Sequence, residues 1–309
     1  MRDYLLRGIG LAALVLLAGC EDWGVGVFDH AYHEDFHYNY ALNAGGSVEV
    51  ENSNGSVEIS GWDKNTVDID GTKYASSEDR LRSIHIDISQ SPGSVHIRTE
   101  MPRDWHGSGG AKYVIHVPRH AELQSITSSN GAIRVDTIQG TVRLKTSNGS
   151  VQAERVVGTL EARSSNGSVD VSDLNGDAIL HTSNGPIRAE VRKGSFDAAT
   201  TNGSITARLL EPDSHTVHLE SSNGRIDLTM DAAREVRAVT SNSSITVHMP
   251  SNAGANLRAH TSNSSISSDF DVSMHGGLLA KNHLEGTIGS GGPLLDLGTS
   301  NGPIRIVRF

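Results

Sequence analysis

Ser147-Asn148-Gly149-Ser150-Val151-Gln152-Ala153 returns eighteen residues later as Ser165-Asn166-Gly167-Ser168-Val169-Asp170-Val171, and again as Ser183-Asn184-Gly185-Pro186-Ile187-Arg188-Ala189. The tripeptide or a near copy occurs ten times in the 309-residue chain, at Asn54, Asn130, Asn148, Asn166, Asn184, Asn202, Asn223, Asn242, Asn263 and Asn301. From Asn130 to Asn202 the interval is 18 without a break, and it then lengthens to 21, 19 and 21. Asparagine tolerates a left-handed backbone and glycine adopts one at almost no steric cost, so each Asn-Gly predicts a tight turn at a fixed point of a recurring unit.

The flanks of each turn read as strands. Three residues after the asparagine stands a β-branched residue in every copy, including Val57, Ile133, Val151, Val169, Ile187, Ile205 and Ile304. Five residues after it the chain is mostly apolar, so the two positions share a face at the strand period of two. Four residues before the turn lie Val50, Leu144, Leu180, Leu219 and their equivalents, again apolar. Two residues before it stands Thr, Ser or Asn in every copy, small and polar beside the turn. The intervening positions carry mixed charge: Asp170 is followed one unit on by Arg188, and Arg143 by Glu161. That pattern predicts a solvated outer face with weak exposed ion pairs.

Eighteen residues accommodate two strands and two corners, and the corners differ. The Ser-Asn-Gly corner is constant, whereas the opposite one varies and absorbs the longer intervals. This asymmetry predicts an all-β, mostly parallel β-solenoid (β-helix) of about 18 to 21 residues per coil, with the constant corners stacked in a column. Stacked asparagine amides would hydrogen-bond along that column. An antiparallel meander shares the spacing, because Asn-Gly is also a hairpin signal, and stands as the alternative. The 38-residue interval from Asn263 to Asn301 is close to two coils and predicts one coil without its signature.

Residues 46–120 alternate in the same way but at irregular spacing, which predicts opening coils or a capping sheet over the first open edge. Ser76 to Ser83 predicts a short helix or loop, and Asp104 to Gly110, rich in glycine, a mobile loop. The boundaries follow: 1–19 signal peptide, 20–45 anchor and tether, 46–120 irregular β region, and 121–309 the repeat solenoid.

The first nineteen residues carry Arg2 and Arg7, an apolar stretch from Ile9 to Ala18, and Leu17-Ala18-Gly19 before Cys20, the only cysteine. A short apolar run closed by small residues predicts a secretion signal rather than a membrane span. Leu-Ala-Gly-Cys resembles the bacterial lipobox, which implies lipidation of Cys20 and attachment to the cell envelope, the outer membrane ahead of the inner. Removing residues 1–19 deletes two arginines and Asp3, so the formal net charge moves from −10 to −11. An acidic chain without a basic block excludes a nucleic-acid partner.

Gly61-Trp62-Asp63-Lys64-Asn65 before Val67-Asp68-Ile69, Val117-Pro118-Arg119 before the repeat, and Thr299-Ser300-Asn301-Gly302-Pro303-Ile304 at its end resemble the bacterial putative-adhesin family, a domain of unknown function with Asn-Gly repeats. The resemblance covers roughly residues 40–309. It implies an extracytoplasmic β-helical protein and brings no catalytic residue with it. The histidine-rich lead-in departs from the family pattern.

Candidate chemistry is thin. His33-Glu34-Asp35-Phe36-His37 fits H-E-x-x-H, but zinc hydrolases need that motif on a helix, and Tyr32, Phe36, Tyr38 and Tyr40 read as an extended segment. Incidental metal binding by His30, His33, His37 and nearby carboxylates, or a solvated tether, accounts for the stretch better. A carbohydrate-active enzyme on a β-helix needs two carboxylates about 5 to 9.5 Å apart in one groove, whereas Glu161, Asp170, Asp197 and Asp227 are scattered singly. The sequence therefore predicts no enzyme, no cofactor and no metal, and a binding, adhesive or structural surface whose partners are the membrane through its lipid and a glycan, envelope component or surface protein.

Overall fold

A computed structural model describes residues 32–102, 108–211, 214–274 and 281–309. Each asparagine corner joins two strands, and the two belong to different sheets. In the Asn148 coil these are Val142–Thr146 and Val151–Val157; in the Asn166 coil, Leu160–Ser164 and Val169–Asn175. The first arms assemble a 14-stranded sheet and the second arms a 13-stranded sheet. Neighbouring coils pair in parallel: Val151 lies beside Val169, and Leu160 beside Ala178. The meander is thereby excluded for the repeat, and the parallel solenoid holds.

The two sheets face each other across one core. Val151, Val169, Ile187 and Ile205 from one sheet, and Leu144, Leu160, Leu180 and Ala198 from the other, are fully buried in a single apolar cluster. Each such Val, Leu or Ile contributes about 1.5–3 kcal/mol relative to exposure. One detail escaped the period-of-two pattern. Thr137, Arg155 and Asp173 adopt φ of 58°, 53° and 53°, and each is skipped by the strand register. These stacked bulges flip the inward phase, so that Ile138, Val156 and Leu174, eight residues after the asparagine, are buried instead of the seventh. In the Asn184 coil the ordinary phase returns with Ile187, Ala189 and Val191.

The ends of the stack are built differently, and in the same way at both. At the front, the Asn54 coil (Ser47–Asn52 and Val57–Trp62) is not outermost: it lies between the Asn130 coil and a further parallel layer made of Ser94–Glu100 and Gly109–Pro118. At the rear, the Asn301 coil (Leu294–Thr299 and Ile304–Arg308) inserts between the Asn242 and Asn263 coils. The expected unsigned coil between Asn263 and Asn301 is not found among the described residues of that interval. Its described residues form two antiparallel strands, Val272–Met274 and His283–Ile288, that cap the rear of the 14-stranded sheet.

Antiparallel strands also close the front. Thr66–Ala75 runs against Gly109–Pro118, and Tyr32–Ala41 runs against Thr66–Ala75. The tyrosine-rich stretch expected as tether is thus an ordered edge strand, because Phe36, Tyr38 and Tyr40 alternate inward and pack against the end of the core. The short helix expected near Ser76 to Ser83 is Glu78–Arg82, capped by the Ser77 hydroxyl. Gly109 and Gly110, read as loop, open a strand; residues 103–107 lie outside the described residues.

Candidate binding surface

The predicted asparagine corners assemble as one ladder. Asn54 Nδ2 donates to the Gly109 carbonyl at 3.0 Å, and Asn130 Nδ2 donates to Asn54 Oδ1 at 2.6 Å. The chain of bonds continues through Asn148, Asn166, Asn184, Asn202 and Asn223 at 2.7–2.8 Å. It then passes to Asn242, jumps to Asn301, and ends on Asn263, each step at 2.8 Å. Asn242 and Asn263 hold their places although Ser243 and Ser264 follow them. Every amide points the same way along the axis.

A second ladder runs inside the first, and the sequence reading missed its function. The buried residue two before the asparagine sends its hydroxyl to the adjoining coil's corner carbonyl, as Thr146 to Gly131 at 2.9 Å, Ser164 to Gly149 at 2.9 Å and Thr182 to Gly167 at 3.0 Å, while Asn52 uses its amide, donating to the Ala111 carbonyl at 2.8 Å. The same hydroxyl oxygen accepts from its own corner, as Gly149 N to Thr146 Oγ1 at 3.2 Å. The restriction to Ser, Thr and Asn was the available signal, because a buried position kept polar in every copy needs a partner.

The corner glycines serve a purpose other than the one expected. Of the eight glycines that directly follow a ladder asparagine, only Gly55 has a positive φ. The others are required by close stacking: a β-carbon on Gly149 would lie 1.9 Å from the Gly131 carbonyl oxygen, and one on Gly167 1.8 Å from that of Gly149. The left-handed glycines lie at the opposite, variable corner, at Gly158, Gly176 and Gly194 with φ of 132°, 147° and 110°.

The outer face of the 13-stranded sheet carries a trough. Residues four and six after each asparagine project outward and flank the inward fifth, so successive coils raise two rows of side chains over a low floor. The floor runs along the backbone of Ala153, Val171, Ala189 and Ala207, whose side chains turn into the core, and the trough encloses about 620 Å³. One wall includes Asp170 and Arg188, which pair at 3.0 Å, and Arg134, whose Nε donates to Gln152 at 3.0 Å. The other carries Glu154, Glu190 and Arg208. Just beyond Glu154 runs the column of bulges, where Arg155 bridges to Asp136 at 2.5 Å and Arg192 to Asp173 at 2.5 Å. Arg155 and Arg192 are both held above their ordinary pKa, first by the hydrogen bonds they donate to these carboxylates. A left-handed conformation at a residue with a β-carbon costs about 1–2 kcal/mol, and three such residues line this edge.

The carboxylates singled out from the sequence do not converge. Asp170 pairs with Arg188, and Asp227 lies 3.4 Å from His248, both on the 13-stranded sheet. Glu161 contacts Arg143 and Arg163, and Asp197 lies between His181 and His218, both on the 14-stranded sheet. The H-E-x-x-H geometry is also absent. His33 and His37 sit in the strand Tyr32–Ala41, and four residues of extended chain separate them by about 13 Å. Glu34 points to the other face and pairs with Lys73 at 3.0 Å. Cys20 and His30 lie outside the described residues.

The irregular front layer, the parallel stack and the Asn-Gly column coincide with a recognised domain. The Toastrack DUF4097 family model matches residues 35–218, more than half of the chain. The chain belongs to this family. The Toastrack match begins inside the edge strand Tyr32–Ala41 and ends inside Val217–Ser221, the first arm of the Asn223 coil. Among solved structures, the chain is similar to a putative cell adhesion protein from Clostridium sporogenes ATCC 15579, at 11% identity and a TM-score of 0.23, over 89% of this chain and 100% of that one. It is also similar to a putative adhesin from Bacteroides fragilis NCTC 9343, at 9% identity and a TM-score of 0.35, over 89% of this chain and 97% of that one. No curated protein matches it.

Proposed function

We propose that this Toastrack chain is a non-catalytic, lipid-anchored protein of the bacterial cell envelope whose outer face binds an extended polymer, a glycan ahead of a protein. The observation that carries the reading is the trough. Its walls repeat once per coil, about 4.8 Å apart, on a scaffold stiffened by two continuous hydrogen-bond ladders. A ligand lying along the axis meets the same kind of contact several times, and weak contacts then add through multivalency. The mixed, internally paired charge of the walls fits hydroxyl-rich chains better than polyanions. Lipidation of Cys20 would place this surface outside the cytoplasm, and the acidic net charge argues against nucleic acid. Asp170 and Asp227 lie on one sheet and Glu161 and Asp197 on the other, which argues against a glycosidase built on those four carboxylates.

A glycan array probed with the full chain carrying Cys20→Ser tests the binding. Selective retention of one glycan class, weakened in Asp170→Ala/Arg188→Ala and unchanged in Glu161→Ala on the opposite sheet, is the expected result. Binding that is indifferent to the trough variant contradicts the reading. Membrane release of Cys20→Ser on cell fractionation tests the anchor.

A further inference from the structure

The histidine-rich edge strand that failed as a zinc-hydrolase motif carries something else. Antiparallel pairing of Tyr32–Ala41 with Thr66–Ala75 sets His37 opposite Asp70 and Asn39 opposite Asp68. Val67 and Ile69 are buried in the core, so Asp68 and Asp70 project to the outer face. His37 lies between them. Its Nδ1 is 2.9 Å from Asp70 Oδ1, and its Nε2 is 3.6 Å from Asp68 Oδ1. Asn39 Nδ2 donates to the same Asp68 oxygen at 2.6 Å. One ligand atom from each of His37, Asp68 and Asp70 lies within 4.8 Å of the others.

A neutral imidazole has one N–H. Donated from Nδ1 to Asp70, it leaves the Nε2 lone pair facing a second carboxylate. Two electron-rich atoms facing each other at 3.6 Å are suited to hold a cation between them, either a proton on Nε2 or a metal ion bound by both. Tetrahedral bonds of about 2.0 Å from a zinc ion to an imidazole nitrogen and a carboxylate oxygen would place those atoms ~3.3 Å apart, close to the observed gap. The Asp70 contact is then the carboxylate that orients a metal-bound histidine.

We infer that His37 and Asp68, oriented by Asp70, form a surface site for a divalent transition-metal ion of the zinc type. Imidazole with carboxylate selects zinc, nickel or copper over magnesium or calcium. Asn39 can supply its amide oxygen by rotation, and solvent completes the shell because the site is open. His33 is excluded by its distance along the strand.

The surrounding charges leave the site electronegative. On the same strand Asp35 accepts from Thr72 at 2.7 Å. On the next strand inward His116 stands opposite Asp68 with its Nδ1 at 2.6 Å from Ser60, and Lys112 stands opposite Thr72. Glu58 lies one strand further. The Asp70 hydrogen bond raises the His37 pKa, and Asp68 adds to the shift. A metal ion must displace any proton held on Nε2.

The test is isothermal titration of zinc chloride into the full chain carrying Cys20→Ser, which removes the only thiol. The runs are made near neutral pH in two buffers of different ionisation enthalpy. One saturable site that releases protons is expected, weakened at least tenfold in His37→Ala and in Asp70→Asn and unchanged in His33→Ala. Circular dichroism confirms that the variants fold. Loss in His33→Ala equal to that in His37→Ala would show diffuse capture by histidines and overturn the assignment. So would binding unaffected by His37→Ala, or no saturable site at all.

Discussion

The middle of the stack and its two ends obey different rules. From Asn130 to Asn242 every strand is parallel to its neighbours, the corner column is continuous, and each coil lies on the one before it in sequence. At both ends sequence order and spatial order part company. The Asn54 and Asn301 coils are each tucked one layer in, and antiparallel strands cover what remains. A regular repeat is bounded by an open sheet edge with unpaired backbone groups, which invites edge-to-edge association. Drawing the chain's last coil inside the stack leaves the rear edge to a short strand, Ile266–Ser268, and to a hairpin. Regularity supplies stability, and irregularity ends it.

That contrast can be broken first at the core. Ile187→Ala, in the middle, should cost about 2–5 kcal/mol, whereas Ile266→Ala at the half-buried rear edge should cost well under half as much. Urea titrations of the two variants compare them directly, and equal losses would remove the distinction. Next comes the corner column. Gly167→Ala forces a β-carbon against the Gly149 carbonyl and should cost about 1–3 kcal/mol. Gly93→Ala, in a front turn with open space around it, should be within about 0.5 kcal/mol of neutral.

The front responds to alkali in a way the middle does not. Tyr113 is pushed up to about 12 by burial, with the Thr99 hydroxyl at 2.5 Å acting in the opposite direction. The folded chain keeps this proton above pH 10 while the unfolded chain releases it. Stability therefore falls between pH 10 and about 12, by about 1.4 kcal/mol per pH unit at most. Denaturation midpoints measured across that range should fall less steeply in Tyr113→Phe. The smallest difference lies in the ladder. Asn166→Ala removes two amide bonds and Asn263→Ala, at the terminus, removes one. Losses of about 1 kcal/mol and about half that are expected by thermal melting.

The stack was legible because its causes are local and repeated: one β-branched position, one apolar partner two residues on, and one amide per turn. Even there the glycines were assigned the wrong cause, since close approach between coils is a tertiary fact that a turn signal does not carry. The bulges at Thr137, Arg155 and Asp173 left no mark, as none of these residues favours a left-handed backbone strongly enough to announce it. The ends were illegible for a different reason. Inserting the Asn301 coil between Asn242 and Asn263 depends on pairing across 38 and 59 residues, and a sequence interval cannot tell a lost coil from a detour. The trough was half legible: its charged walls were visible as alternation, while its depth depended on how adjacent coils set those walls in register. The His37 cluster joins residues 31 and 33 positions apart through strand pairing that irregular spacing concealed.

The most direct test is a pulsed EPR distance between spin labels at Gln152→Cys and Ser267→Cys on the outer face, with Cys20→Ser removing the native thiol. Parallel stacking with the Asn301 coil tucked inside puts seven rungs between them, about 34 Å at roughly 4.8 Å per rung. A distance near about 29 Å would mean the last coil is not inserted, and one near about 58 Å would mean both arms of every unit share a single sheet, contradicting the solenoid.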